Sequence, residues 1–92
     1  MFVRVVRSRV DPAKIESESQ LRQDLSAAVK AMPGNQSFMG AVDRANGRAI
    51  SISTWDTQEH ASYSPDALGQ VQSRVRAIVT DMDPPEIYEV IG

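Results

Sequence analysis

Side chains that could do acid–base or binding chemistry gather in the middle of the sequence. His60 is the chain's one histidine, and histidine exchanges a proton most readily near neutral pH, so His60 is the natural proton acceptor if one is needed. Trp55 could stack on an aromatic ligand and donate its indole N–H to it. We predict both as catalytic residues. The alternatives are a solvent-exposed His60 and a Trp55 that only packs where sheet meets helix.

Five further polar side chains are candidates for contact with a ligand. Tyr63 could hydrogen-bond a phenolic or carbonyl oxygen, or it could cap a broken helix. Arg7 could attract an anion if its face of the first strand lines a cavity, and otherwise it belongs to a solvated strand end. Tyr88 could bind a ligand or pack at an interface between subunits. The last two candidates, Ser51 and Ser53, lie on one predicted strand.

Several kinds of site are excluded by what the sequence lacks. Neither serine stands in a Gly-x-Ser-x-Gly turn, and a single histidine makes a catalytic triad improbable. The absence of cysteine excludes disulfides, thiolate chemistry and iron–sulfur clusters. One histidine with scattered carboxylates predicts no metal site. No phosphate-cradling loop or dinucleotide fingerprint is present, so we expect a protein that works without a cofactor.

Length and charge set further limits. Ninety-two residues with 41% hydrophobic side chains make one folded domain over residues 1–92. A net charge of −2 without a clear basic face argues against binding to nucleic acid. No apolar run approaches the roughly 20 residues that span a bilayer. We therefore expect a soluble, cytoplasmic protein with no membrane partner.

Hydrophobic periodicity predicts the first four elements. Valine-rich residues 2–10 form a strand, and a helix then begins either at Asp11-Pro12 or at a capping box from Ser17 to Gln20. The helix ends at Pro33-Gly34. Asn46-Gly47 predicts a tight hairpin between strands over 37–43 and 48–55.

The remaining elements complete the order strand, helix, strand, strand, helix, strand. Asp56 with Glu59 predicts a short helix start. A longer helix begins near Pro65, with an apolar stripe at Leu68, Val71, Val75, Ile78 and Met82. A strand over 86–91 ends the chain. This order predicts an α+β, ferredoxin-like fold: a four-stranded antiparallel sheet with both helices on one face. The other face, with Trp55 and Met39, is then expected to pair two copies into a barrel-shaped homodimer.

At this level the sequence resembles the antibiotic biosynthesis monooxygenase-like family of the dimeric α+β barrel superfamily. The likeness spans nearly the whole chain, and the residues that carry it are Val10-Asp11-Pro12, Met32-Pro33-Gly34, Gly40, Asp43-Arg44, Gly47-Arg48, the run from Ser51 to Thr57 with Glu59, and Tyr88-Glu89-Val90. The resemblance implies a homodimer with a cavity between sheet and helices in each subunit. It also implies that Trp55 takes the place of a cavity tryptophan.

Family likeness leaves two functions open. Haem-degrading members carry an Asn on the first strand and a His on the second main helix, and neither occurs here in 2–10 or 65–82. One hypothesis is therefore a cofactor-independent monooxygenase acting on a small phenol or hydroquinone, with His60 as proton acceptor. The other is a non-catalytic dimeric domain that binds a small apolar ligand or none.

Overall fold

A computed structural model, which describes residues 1–17 and 19–92, contains one antiparallel sheet with helices packed on one of its faces. Five strands form the sheet: β1 (Phe2–Val10), β2 (Asn35–Asp43), β3 (Arg48–Trp55), β4 (Val79–Met82) and β5 (Glu86–Glu89). Their order is β2-β3-β1, and the free edge of β1 is shared by β4 near one end and β5 near the other. The α+β, ferredoxin-like prediction is thus confirmed, but the predicted strand count of four is wrong.

The helices are α1 (Pro12–Ser17), α2 (Ser19–Lys30), α3 (Gln58–Ala61) and α4 (Gln70–Ile78), with a 3₁₀ turn over Pro65–Leu68. Asp11 caps α1, because its Oδ1 accepts a hydrogen bond of 3.0 Å from the Ala13 N–H. This confirms the first of the two predicted helix starts. The capping box from Ser17 to Gln20 depends on a side chain outside the described part of the chain.

The longer predicted helix is wrong at both ends. A 3₁₀ turn comes first, then Gly69 with φ of +60°, and α4 stops at Ile78. Residues 79–82 form β4 instead, and Met82 pairs with Ser8 of β1. The β-branched Val79 and Thr80 favour a strand, and pairing with β1 satisfies their backbone groups, so tertiary context overrides the helical stripe.

The turn between β2 and β3 and the start of α3 were both predicted from short sequence motifs. The turn at Asn46-Gly47 is confirmed: Gly47 has φ of +63°, and its carbonyl accepts a 2.9 Å hydrogen bond from Val10. The start of α3 is capped by Thr57, whose Oγ1 accepts from the His60 N–H at 3.1 Å, rather than by Asp56. Thr57 directly precedes this one-turn helix, and from that position its side-chain oxygen reaches the third open N–H group.

The two faces of the sheet differ in what covers them. We call the face that packs on the helices the inner face and the other the outer face. Trp55 was predicted on the open side, and this is wrong: it lies on the inner face, fully buried against Val29 of α2 and Ala61 of α3. Met39 does lie on the outer face, with 59% of its surface exposed. None of the described helices is long and apolar enough to cross a membrane.

Candidate functional site

A cavity of about 730 Å³ lies between the inner face and the helices α2 and α4. Its wall is mainly apolar and includes Val6, Leu25, Phe38 and Ile78. Gly40 of β2 also borders it, and a Cβ atom added there would meet no atom within 4 Å. A cavity of this size and lining suits a small, largely apolar molecule.

One end of the cavity is closed by tightly packed core. Val29, Trp55 and Ala61 are each 0% exposed there. The Trp55 indole N–H donates a 2.8 Å hydrogen bond to Ser53 Oγ, which satisfies both buried polar groups. Trp55 and Ser53, two of the predicted site residues, therefore lie behind the cavity wall rather than in its lining.

Arg4 marks the boundary between this core and the cavity. It lies on the inner face of β1, lines the cavity and is only 5% exposed. One terminal nitrogen donates to the main-chain oxygens of Ala61 at 2.9 Å and Tyr63 at 3.3 Å. The guanidinium carbon stands 3.9 Å from the centre of the Tyr63 ring, a cation–π contact. Arg4 Nε is buried and has no hydrogen-bond partner within the described residues.

Tyr63, one of the predicted site residues, packs against the core and also lines the cavity. Its ring is 5.2 Å from that of Trp55, centre to centre, at 46°, and it lines the cavity. Burial raises the pKa of the Tyr63 hydroxyl, and the nearby Arg4 charge opposes that rise. Tyr63 therefore stays a neutral hydroxyl at physiological pH, able to donate or accept a hydrogen bond. Ser51 of β3 lines the same cavity.

His60 lies outside the cavity lining, next to Gly34. Its Nδ1 is 2.6 Å from Asp56 Oδ1, and 40% of the side chain is exposed. This hydrogen bond lowers the pKa of the Asp56 carboxyl. Both side chains cover Gly34, whose φ is +78° and whose position leaves no room for a Cβ atom. His60 does not line the cavity.

Arg7 and Tyr88 lie on the outer face. Arg7 Nε is 3.6 Å from Glu86 Oε1, and the Tyr88 hydroxyl donates to Glu86 Oε2 at 2.9 Å. That hydrogen bond and the Glu86 charge raise the pKa of Tyr88. Neither residue reaches the cavity, which is on the other side of the sheet.

Of the seven predicted site residues, the structure thus brings Tyr63 and Ser51 together around one cavity. Arg4 was missed, although the period-two pattern places it on the same strand face as Val6 and Val10. Because both faces of the first strand carry apolar residues, periodicity alone did not show which face the helices cover. Among residues 1–17 and 19–92, no group of three His, Asp or Glu side chains is placed to hold a metal ion.

Comparison with solved structures supports the fold. SnoaB from Streptomyces nogalater, described as a cofactor-independent oxygenase, superposes with a TM-score of 0.73 at 20% identity, over 99% of this chain and 93% of SnoaB. The chain has the fold of the antibiotic biosynthesis monooxygenases. A protein of that description superposes over the full length of both chains, with a TM-score of 0.71 and 13% identity.

The same fold occurs in Rv0793 from Mycobacterium tuberculosis, with a TM-score of 0.72 at 12% identity, over 99% of this chain and 95% of Rv0793. No family model matches the sequence. A search of curated proteins also found no match. At these identities the antibiotic biosynthesis monooxygenase fold is shared, and the reaction has to be argued from the cavity itself.

Proposed function

We propose that the protein is a cofactor-independent monooxygenase that oxidises a small phenolic aromatic in the cavity between the inner face and the helices. The supporting observation is the cavity itself, an apolar space of about 730 Å³ bordered by a few polar side chains. The shared fold with SnoaB adds to this.

The proposed reaction needs only the substrate and O₂. A phenol with a free para carbon loses its proton, and the phenolate transfers one electron to O₂. The two radicals combine to form a C–O bond at the para carbon, and loss of water leaves the quinone. One oxygen atom of O₂ ends in the quinone and the other in water, so phenol plus O₂ gives quinone plus water. The protein's part is to hold the phenolate in a dry space and stabilise its charge.

The side chains around the cavity suggest a role for each in the proposed reaction. Tyr63 and Ser51 offer hydroxyls to the substrate oxygen, and Trp55 holds the Tyr63 ring in place through their 5.2 Å contact. His60 was predicted as the proton acceptor, but it lies outside the lining. We propose instead that the proton leaves through solvent on the side of the exposed lining residues Gly40 and Met82.

Oxygen consumption tests the proposal directly. The purified protein is mixed in air with 1-naphthol or 1,5-dihydroxynaphthalene, both of which have a free carbon para to a hydroxyl. We expect O₂ uptake above the buffer rate and, under ¹⁸O₂, one labelled atom in the quinone. Gly40→Val, which narrows the cavity, should reduce the extra uptake, whereas His60→Ala should retain it. Uptake equal to buffer for both compounds would remove these substrates from the proposal.

One observation favours a second candidate, a ligand-binding domain without catalysis. The titratable side chains of the described lining include Asp81 and Tyr63 but not the histidine, so a strong neutral-pH base is missing from the cavity. On this alternative, 1-naphthol binds in a Gly40-dependent way but O₂ uptake stays at the buffer rate. The two candidates therefore differ in the oxygen measurement and agree in the binding measurement.

We also propose that two copies pair through the outer face. Met39 and Tyr88 are 59% and 53% exposed there, and the strand register places Val3, Val5 and Ile52 on the same face. Exposed apolar side chains on one sheet face favour burial against a partner. Sedimentation velocity should show a dimer, and Ile52→Glu should shift it to monomer, with Gln58→Glu on α3 as control. A monomeric parent protein would refute the pairing.

A further inference from the structure

The charges around the cavity are unbalanced. Of its charged lining residues, three are arginines, Arg4 on β1, Arg22 on α2 and Arg76 on α4, and one is an acid, Asp81. The chain as a whole has a net charge of −2. The lining is therefore locally cationic in an acidic protein, and such a lining attracts an anion.

Arg4 differs from the other two because it is buried. A guanidinium keeps its charge in proteins, and removing that charge from water is costly unless an opposite charge compensates it. No ion pair with a carboxylate is formed by Arg4 within residues 1–17 and 19–92. Its contacts are two main-chain oxygens and the face of Tyr63. These contacts orient the guanidinium but supply no negative charge.

The Nε atom of Arg4 is a hydrogen-bond donor that the protein leaves unused. Nε is buried, lacks a partner and belongs to a side chain that lines the cavity. One terminal nitrogen of that guanidinium, Nη1, is already used by the main-chain oxygens of Ala61 and Tyr63. Buried polar groups are paired in most native structures, so an orphan donor beside an apolar cavity indicates a missing acceptor.

We propose that the cavity binds a small amphipathic anion, whose oxyanion accepts a hydrogen bond from Arg4 Nε while its flat apolar body packs against Val6, Leu25 and Phe38. This deepens and rests on the proposed function, because a phenolate is such an anion; an aromatic carboxylate offers the same chemistry. The charge-assisted hydrogen bond fixes the orientation of the ligand. Arg22 and Arg76 strengthen the attraction from the helix side.

The first experiment measures binding without oxygen. Under anaerobic conditions, 1-naphthoate and its neutral analogue 1-naphthalenemethanol are titrated into the protein by calorimetry. We expect the anion to bind at least tenfold more tightly. Arg4→Met should remove that preference while leaving the affinity for the neutral analogue within about twofold, which reports an intact cavity. Arg7→Met, on the outer face, is the matched control and should leave both affinities unchanged.

A second variant covers the case in which Arg4→Met fails to fold, since Ala61 and Tyr63 lose their donor. Arg4→Lys keeps a charge but has no Nε, so the anion preference should fall by severalfold without vanishing. Equal affinity for the anion and the neutral analogue in the parent protein would overturn the proposal. So would a preference that persists undiminished in the Arg4 variants, which would place the anion at Arg22 and Arg76.

The second arm distinguishes a phenolate from a carboxylate. The absorbance of bound 1-naphthol is followed against pH under argon, with Tyr63, Arg22, Arg76 and Asp81 as the other charged or titratable groups around the ligand. A phenolate partner shifts the naphthol ionisation at least one pH unit lower in the parent than in Arg4→Met. Selective binding of naphthoate without that shift supports a carboxylate ligand. Neither the calorimetric nor the absorbance titration requires turnover, so both give an interpretable result even if no O₂ is consumed.

Discussion

The two ends of the space between sheet and helices are built from the same strands, yet one is packed and the other is hollow. At the packed end the inner face carries Phe2 and Trp55, and Phe38 lies where this end meets the cavity. Further along the same face, paired positions hold small side chains instead: Gly40 lies beside Ser51, and Ala49 beside Ser8. The cavity thus follows from side-chain size along the stretch of the sheet between the register shifts at Asn35/Ser37 and Arg9/Val10.

This difference separates two tasks. The packed end holds the fully buried residues Trp55 and Ala61, with Val29 at its border with the cavity. The hollow end has buried lining residues too, among them Leu21, but leaves others such as Val6 only half-buried and available to a ligand. Stability and binding should therefore respond to mutations at different ends.

The largest effect is expected at Trp55. Trp55→Ala removes a fully buried ring and the hydrogen bond to Ser53, and should lower the free energy of unfolding by about 3–5 kcal/mol. Urea unfolding followed by circular dichroism measures this. Trp55→Phe, which keeps an aromatic ring, is the control and should lose less. A loss no greater than that of a surface substitution would mean that the packed end does not carry the stability.

A matched pair of valines compares the ends directly. Val29 borders the cavity but is 0% exposed and packs on Trp55 and Ala61, so Val29→Ala opens a hole in the core and should cost on the order of 2 kcal/mol. Val6→Ala enlarges a space that already exists, so its cost should be clearly smaller. Thermal and urea unfolding give both values. Equal losses would contradict the contrast between the ends.

Filling the hollow end should stabilise it. Gly40 is mid-strand, where glycine is unfavourable, and a side chain there meets open space. Gly40→Val is therefore expected to raise the free energy of unfolding by roughly 1 kcal/mol while leaving less room for a ligand. The control is Gly47→Val, which must lower stability, because Gly47 has φ of +63° and a Cβ atom there approaches the Val10 carbonyl oxygen to 2.9 Å. A destabilised Gly40→Val protein would show that the hollow end needs its empty space.

The smallest effect is expected at the hairpin turn between β2 and β3. Hydrogen bonds from Asn46 and Arg48 lower the pKa of the Asp43 carboxyl from 3.8 to about 2. Because the folded pKa lies below the unfolded one, the stabilisation is complete above pH 3.8 and is lost as pH falls toward 2. An NMR titration of the Asp43 carboxyl carbon should show a midpoint near 2. In Asn46→Ala the midpoint should move up; an ordinary midpoint in the parent protein would refute this hydrogen-bond network.

Periodicity and turn chemistry were enough to predict most of the fold. Three features depend only on the conformational preferences of nearby residues, and the structure has all of them: the strand over 2–10, the Asn46-Gly47 turn and the Asp11 cap. The stretch after Ile78 was mispredicted because its apolar spacing continues a helical stripe. Only pairing with β1, about 70 residues earlier in the chain, makes 79–82 a strand.

The cavity was harder to predict because it depends on which sheet face the helices cover. Arg7 and Arg4 differ by an odd number of residues, so they point to opposite faces. Because both faces of β1 carry apolar residues, the sequence did not show which face the helices cover. Arg7 was therefore predicted as a candidate for the cavity lining, whereas in the structure Arg4 lines the cavity. His60 was predicted as the proton acceptor because histidine exchanges a proton near neutral pH, and that argument does not say where its side chain lies. The short helix α3 instead turns His60 toward Gly34.

The central position of β1 also bears on how the chain folds while it is being made. β1 hydrogen-bonds to β3 on one side and to β4 and β5 on the other. Translation delivers roughly 5–20 residues per second, so its valines wait several seconds before residues 48–55 emerge. The hairpin of β2 and β3 is local and can form at once, offering β3 as a template to which β1 then adds. Until that moment β1, with its four valines, has no partner strand in the nascent chain.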